Sequence, residues 1–215
     1  MLSFRVAGIA AVSFCILTSL RAEDSSDHPG RVPAGSIAYQ YTGRVNFATG
    51  TVYGYFTQIA GIPYTSLFKG TPSEATAMIT FRADISSIPL PGNGDLGGGN
   101  FAVIPFVVAP GDFQVFFDSN PNHNWSAPDT FSKGPTLTTI ATFSRTIDQQ
   151  SLIGPIAINA ASATLKSSSS ITLNLHPFDL GKLVPDGVTN VTTGYNAPVA
   201  TATFAFAGYG LAAGK

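Results

Sequence analysis

Along most of this 215-residue chain, apolar and polar side chains alternate with a period of two. The alternation is clearest between residues 74 and 86. One side carries Ala75, Ala77, Ile79, Phe81, Ala83 and Ile85, and the other carries Thr76, Thr80, Arg82, Asp84 and Ser86. Successive side chains of a β-strand point to opposite faces, so this period predicts strands that bury one face.

About nine such segments follow one another at short and fairly even spacing. They are residues 36–47, 51–60, 74–86, 101–109, 112–118, 137–147, 156–166, 170–178 and 199–211. Short, regularly spaced strands are typical of sandwiches and barrels. Pro105 cannot donate to a strand ladder, so it predicts an edge or a bulge for the fourth segment. The turn-rich residues 181–198 are expected to form a loop.

The sequence therefore predicts an all-β fold, an antiparallel β-barrel or a β-sandwich of about nine strands. We expect one all-β domain over residues 35–215, because the chain shows no internal repeat and no break in character. This outline resembles calycin-like and dirigent-like barrels and many sandwiches. The likeness is one of architecture and implies no function.

The N-terminal residues predict export. Residues 1–22 combine Arg5, an apolar run and small residues before an acidic stretch, the pattern of a secretory signal peptide. Cleavage after Ala22 would remove the only cysteine, Cys15, and leave a cysteine-free chain. Residues 23–34 are expected to be a flexible leader. The protein is thus predicted to be secreted or periplasmic, with no membrane span in the mature chain.

The charge balance excludes one class of partner. Removal of Arg5 and Arg21 leaves nine basic residues against twelve acidic ones. Nucleic-acid binding needs clustered Lys and Arg to neutralise phosphates, so nucleic acid is not expected as a partner. Charged residues make up only 11% of the chain, which is typical of an extracellular β-protein surfaced with hydroxyl groups.

Residues 116–134 form the most chemically varied stretch of the sequence. Asp118, Asn120 and Asn122 stand at alternate positions of this stretch, and Asp129 follows at the twelfth position counted from Asp118. Alternating carboxylates and amides are ligands that Ca²⁺ prefers, so these four residues are a calcium candidate. His123 stands where a calcium loop needs glycine, and the alternative is a turn series without metal. No other cofactor is expected.

Trp125 is the only tryptophan. Together with Asn124 it suggests a ligand site, because an indole can stack on a sugar ring while an amide bonds its hydroxyl groups. The alternative, which we favour at this point, is that Trp125 caps the end of the hydrophobic core.

Catalytic signals are weak. The sequence holds no G-x-S-x-G and no H-E-x-x-H motif. The polar faces of two predicted strands carry charged side chains, namely Arg44 on the first strand and Arg82 and Asp84 on the third. Inside a barrel these three side chains would define an active site; outside it, Arg82 and Asp84 would be a solvated pair.

Three hypotheses follow. The first is a secreted, non-catalytic barrel or sandwich that binds a small apolar molecule or a glycan. The second is a cofactor-free enzyme of the isomerase or cyclase type, with Arg44, Arg82 and Asp84 inside the barrel. The third is an extracellular structural or surface protein. The missing catalytic motifs favour the first.

Overall fold

The computed structural model describes residues 30–46, 49–84, 102–106, 111–153, 156–195 and 203–214. Most of their regular structure is β. The strands are β1 (Ile37–Asn46), β2 (Thr51–Ile59), β3 (Ile79–Asp84), β4 (Ala102–Phe106), β5 (Asp112–Asp118), β6 (Leu137–Ile153), β7 (Ile156–Ser168), β8 (Ile171–Leu173), β9 (His176–Phe178), β10 (Val188–Tyr195) and β11 (Thr203–Ala212). One short helix, α1 (Leu180–Leu183), and 3-10 turns at Tyr64–Leu67, Glu74–Thr76 and Pro128–Phe131 accompany them. The predicted signal peptide lies outside the described residues.

Eight strands form a closed antiparallel barrel in the order β6-β5-β3-β2-β1-β11-β10-β7, and pairing of β7 with β6 closes the ring. β4 pairs with the far part of β6, outside the ring, and has no second neighbour among the described strands. Its edge position agrees with the presence of Pro105. The prediction of an all-β fold is confirmed, and of the two architectures the barrel is the one formed.

Four segments differ from the sequence prediction. Residues 74–76, expected to begin the third strand, form a 3-10 turn, and β3 begins only at Ile79. Residues 188–195, expected in a loop, form β10, which pairs with β7 and β11. Residues 170–178, expected to be one strand, form a separate hairpin of β8 and β9. Val32, in the segment expected to be a flexible leader, is buried, and its backbone N–H donates to the Leu183 carbonyl at 3.0 Å.

The barrel interior is built mainly from aromatic rings. Tyr39, Tyr41, Phe56, Phe81, Phe113, Phe143 and Phe206 are buried on the strands and belong to one core cluster. Neighbouring centroids lie 4.8 to 6.4 Å apart, mostly tilted or edge to face, which are favourable arrangements for aromatic pairs. The buried Tyr39 hydroxyl donates to Asn190 Oδ1 at 2.8 Å.

Glycines make room for these rings. Gly43 faces Phe206 across the β1–β11 pair, and Gly54 faces Phe81 across the β2–β3 pair. A Cβ atom at Gly43 would lie 2.6 Å from Phe206 Cζ, and one at Gly54 would lie 2.8 Å from Phe81 Cζ. Because any side chain would collide with the ring, glycine at these two positions lets the barrel hold its aromatic core.

Candidate functional site

A long connection between β5 and β6, residues 119–136, packs on the outer face of the barrel. We call it the 119–136 loop. The Tyr53 hydroxyl of β2 donates to the Trp125 carbonyl at 3.2 Å, and the Thr80 hydroxyl of β3 donates to the Phe131 carbonyl at 2.7 Å. Tyr53 and Thr80 lie on the strand phase opposite to the interior rings, so the loop covers the outside of β2 and β3.

The loop places three rings in succession. His123 stacks on Phe131 with centroids 5.2 Å apart, and Phe131 stacks on Trp125 with centroids 4.9 Å apart. The Arg44 guanidinium lies over the Trp125 ring, with Cζ 5.1 Å from its centroid. His123 and Phe131 are buried, whereas Trp125 and Arg44 are partly exposed. This aromatic stack therefore runs from a buried histidine to a cation at the surface.

His123 fixes the buried end of the aromatic stack. Its Nδ1 lies 2.6 Å from the Thr130 carbonyl oxygen, and its Nε2 lies 3.0 Å from the Ala77 carbonyl oxygen. Asp118 Oδ2 is 3.7 Å from the same Nε2. Carbonyl oxygens only accept hydrogen bonds, so both contacts are satisfied when the imidazole carries both of its protons.

Ion pairs hold the outer side of the loop. Arg82 of β3 donates to Asp129 Oδ1 at 2.7 Å, and Lys133 donates to Asp129 Oδ2 at 2.8 Å. These two donors, Lys133 first, lower the pKa of the exposed Asp129 carboxyl. Burial alone would lower the pKa of Arg82, but hydrogen bonds and charges from Asp129 and Asp84 outweigh that effect and raise it.

Because the pKa of Asp129 is lower in the folded protein than in the unfolded chain, its stabilising effect is complete above the ordinary carboxyl pKa. The effect is lost as the pH falls through the lowered value. We therefore expect acid to change Trp125 fluorescence through loosening of the 119–136 loop. Emission should be recorded against pH for the wild type and Asp129→Asn, with far-UV circular dichroism separating barrel unfolding. Identical profiles for both proteins would contradict this role of Asp129.

Partly exposed aromatic side chains extend the site along the outer wall. Tyr55 of β2 has its ring centroid 5.8 Å from that of Trp125, and Tyr64 packs on Phe68 beside Tyr55. Tyr64 is 52% exposed. Burial, and after it the negative charge of Glu74, raises the pKa of Tyr55. We call Tyr55, Tyr64 and Trp125, with Arg44 at its edge, the aromatic patch.

The structure gives the four calcium candidates separate partners. Asp118 is buried, and its Oδ1 accepts hydrogen bonds from the Asn120 backbone N–H at 2.9 Å and the Thr136 hydroxyl at 2.6 Å. Asn120 Oδ1 accepts from Lys69, Asp129 is paired with Arg82 and Lys133, and Asn122 is exposed. No group of three or more His, Cys, Asp or Glu side chains within the described ranges could hold a metal ion. Calcium binding at this stretch stays a prediction.

The three residues of the enzyme hypothesis do not meet inside the barrel. Arg44 and Arg82 flank Tyr53 in one row across β1, β2 and β3, on the outer face. Asp84 lies on the same face of β3 and accepts a hydrogen bond from Arg82 Nε at 3.4 Å. The interior placement that this hypothesis required is therefore wrong.

Several residues of the site were not anticipated as site residues, namely Tyr53, Tyr55, Tyr64, His123 and Phe131. One signal was present in the sequence. In β2, tyrosines occupy the polar phase at positions 53 and 55 while Phe56 lies in the core, so the strand is apolar on both faces. A strand with aromatic residues on both faces indicates that something covers its outer face.

Comparison of the chain with family models, with characterised proteins and with solved structures gave no match. Among the residues described, no helix is long and apolar enough to cross a membrane.

Proposed function

We propose that this protein is a non-catalytic binding protein that holds a glycan against the aromatic patch on the outside of its barrel. The observation that carries the proposal is a partly exposed Trp125 fixed in place beside partly exposed Tyr55 and Tyr64. Phe131 stacks on the indole, and the hydroxyl of Tyr53 bonds its backbone carbonyl. A ring that is already immobilised loses little conformational entropy when a ligand binds, which favours affinity.

The interior of the barrel is less suited to the alternative, a small apolar ligand. Interior positions on β1, β2, β3, β5, β6 and β11 carry rings in mutual contact, and these rings are the core that stabilises the fold. Clearing space for a guest would mean displacing side chains from a packed interior, at a cost of several kcal/mol. Binding on the outer wall requires no such displacement.

The chemistry around the aromatic patch suits a sugar. Tyr55 and Tyr64 combine an apolar ring with a hydroxyl group, and aromatic faces can pack on the C–H groups of a pyranose. Asn124 adds an exposed amide next to Trp125; its Oδ1 accepts from the Ser126 backbone N–H at 2.8 Å, which orients the amide within the turn. This supports the predicted pair Trp125 and Asn124 as ligand contacts.

The proposal is tested by titrating the protein with a panel of neutral and charged oligosaccharides. Trp125 is the only tryptophan, so its emission reports binding at the aromatic patch without background from elsewhere. We expect saturable changes for at least one saccharide. By calorimetry, Trp125→Ala should weaken that binding about tenfold or more, since aromatic anchors dominate such contacts.

Tyr209→Ala is the matched control, because Tyr209 is an exposed aromatic residue on the outer face of β11, away from the patch. It should bind like the wild type. If no saccharide in the panel gives a saturable signal, or if Trp125→Ala binds as tightly as the wild type, the proposal fails.

A further inference from the structure

Arg44, unlike Arg82 and Lys133, has no acidic partner within the part of the chain that the structure describes. Arg82 and Lys133 both pair with Asp129. Within the described part of the chain, no carboxylate oxygen lies within 4.0 Å of the Arg44 guanidinium. A partly exposed cation among neutralised neighbours leaves the Arg44 end of the aromatic patch with one uncompensated positive charge.

The position of Arg44 suits it to bind an anion. Its guanidinium lies 5.1 Å from the centre of the Trp125 ring, where a cation–π attraction restrains an otherwise flexible side chain. Arg44 also sits beside Tyr53, whose pKa is raised by burial against an opposing effect of the Arg44 charge. A guanidinium held against an aromatic ring presents N–H donors in a planar fork that matches two oxygens of a carboxylate or sulfate.

Charge also orients a ligand along the patch. Glu74 lies near Tyr55, since its negative charge raises the pKa of the Tyr55 hydroxyl. An anionic group would be repelled from that end and attracted to the Arg44 end. The two ends of the aromatic patch thus favour a saccharide whose acidic group meets Arg44 and whose uncharged ring meets the tyrosines.

We propose that the ligand of the aromatic patch is an anionic saccharide, whose carboxylate or sulfate is bound by Arg44 beside Trp125. This inference rests on the glycan-binding function proposed above and narrows it to acidic sugars. Arg44 is then the specificity-determining residue, while Trp125 and the tyrosines supply contact with the sugar ring.

The test compares three probes of equal length: a galactose tetrasaccharide, a galacturonate tetrasaccharide and a sulfated galactose tetrasaccharide. Calorimetry at low salt should give affinity for at least one acidic probe about tenfold or more above that for the neutral one, as a charge-assisted bidentate contact requires. The preference should shrink as salt is added. The two acidic probes distinguish a carboxylate ligand from a sulfate ligand.

The variant Arg44→Met keeps the apolar stem but removes the charge, and it should lower its affinity for the acidic probes to the level of its affinity for the neutral probe. Arg44→Lys keeps the charge but lacks the planar guanidinium fork. Its affinity for the acidic probes should lie between those of the wild type and Arg44→Met. Lys166→Met is the control, an exposed cation paired with Asp112 elsewhere on the barrel. Melting curves by circular dichroism confirm that each variant is folded.

Each outcome is decisive. Equal affinity for neutral and acidic probes would overturn the inference but leave the glycan-binding function standing. An acidic preference that survives Arg44→Met would overturn the assignment to Arg44. Absence of binding to all three probes and to the wider oligosaccharide panel would overturn both the function and the inference.

Discussion

Replacing Phe81 with alanine is expected to lower the free energy of unfolding by about 3–5 kcal/mol, the usual cost of deleting a buried phenylalanine ring. Phe81 is 1% exposed and occupies the centre of the barrel. It contacts the rings of Tyr41, Phe56, Phe113 and Phe206 at centroid distances of 5.3 to 6.4 Å. Gly54, which faces Phe81 across the β2–β3 pair, has no side chain that could fill the space left by the ring.

The loss of stability is measured by urea unfolding, with far-UV circular dichroism as the signal. We expect a lower midpoint with an unchanged m-value, which indicates a change in stability alone. Tyr209→Ala removes an aromatic ring of similar size from the outer face of β11 and should cost less than about 1 kcal/mol. If both variants unfolded at the same urea concentration, Phe81 would not be a central element of the core.

Alternation predicted the barrel wall because burial of one face is a local property of each strand. Ile79, Phe81 and Ala83 occupy one phase of β3 in the sequence, and all three are buried in the structure. The closure of the barrel could not be predicted from the alternation. It depends on the pairing of β7 with β6 and β10, and in β10 the inward positions are small or polar residues such as Asn190 and Gly194. Because β10 lacks a regular alternation of apolar side chains, its sequence was predicted to form a loop.

The candidate site could also be predicted only in part from the sequence. Trp125 and Asn124 were identified from their chemistry within one loop, and Arg44 and Arg82 from their shared strand phase. Their relation to each other depends on where the 119–136 loop lies, which is decided by contacts distant in sequence, such as Tyr53 to Trp125 and Thr80 to Phe131. Residues of the aromatic patch that are distant in the sequence are therefore neighbours only in the folded protein. The sequence left open whether Trp125 contacts a ligand or caps the core, and whether the arginines lie inside or outside the barrel. In the structure Trp125, Arg44 and Arg82 lie on one outer surface.

A second large effect is expected at the buried end of the aromatic stack, where His123→Ala should lower the free energy of unfolding by about 2–4 kcal/mol. The substitution leaves the Thr130 and Ala77 carbonyls without their imidazole donors, and each buried acceptor left unpaired costs roughly 1–3 kcal/mol. It also removes the ring that stacks on Phe131 and the Nε2 atom that lies 3.7 Å from Asp118 Oδ2. The loss falls on the 119–136 loop, because two of these partners belong to that loop.

Two signals separate a local from a global effect. Trp125 emission should shift to longer wavelength in His123→Ala even without denaturant, because the loop that shields the indole is released, while the β-sheet dichroism is retained. His176→Ala is the control, since His176 is an exposed histidine in the β8–β9 hairpin. It should change neither signal. An unshifted emission maximum and an unchanged unfolding midpoint in His123→Ala would contradict this role of the buried histidine. The Asp129 ion pairs and the hydrogen bonds from Tyr53 and Thr80 would then suffice to hold the loop and the aromatic patch.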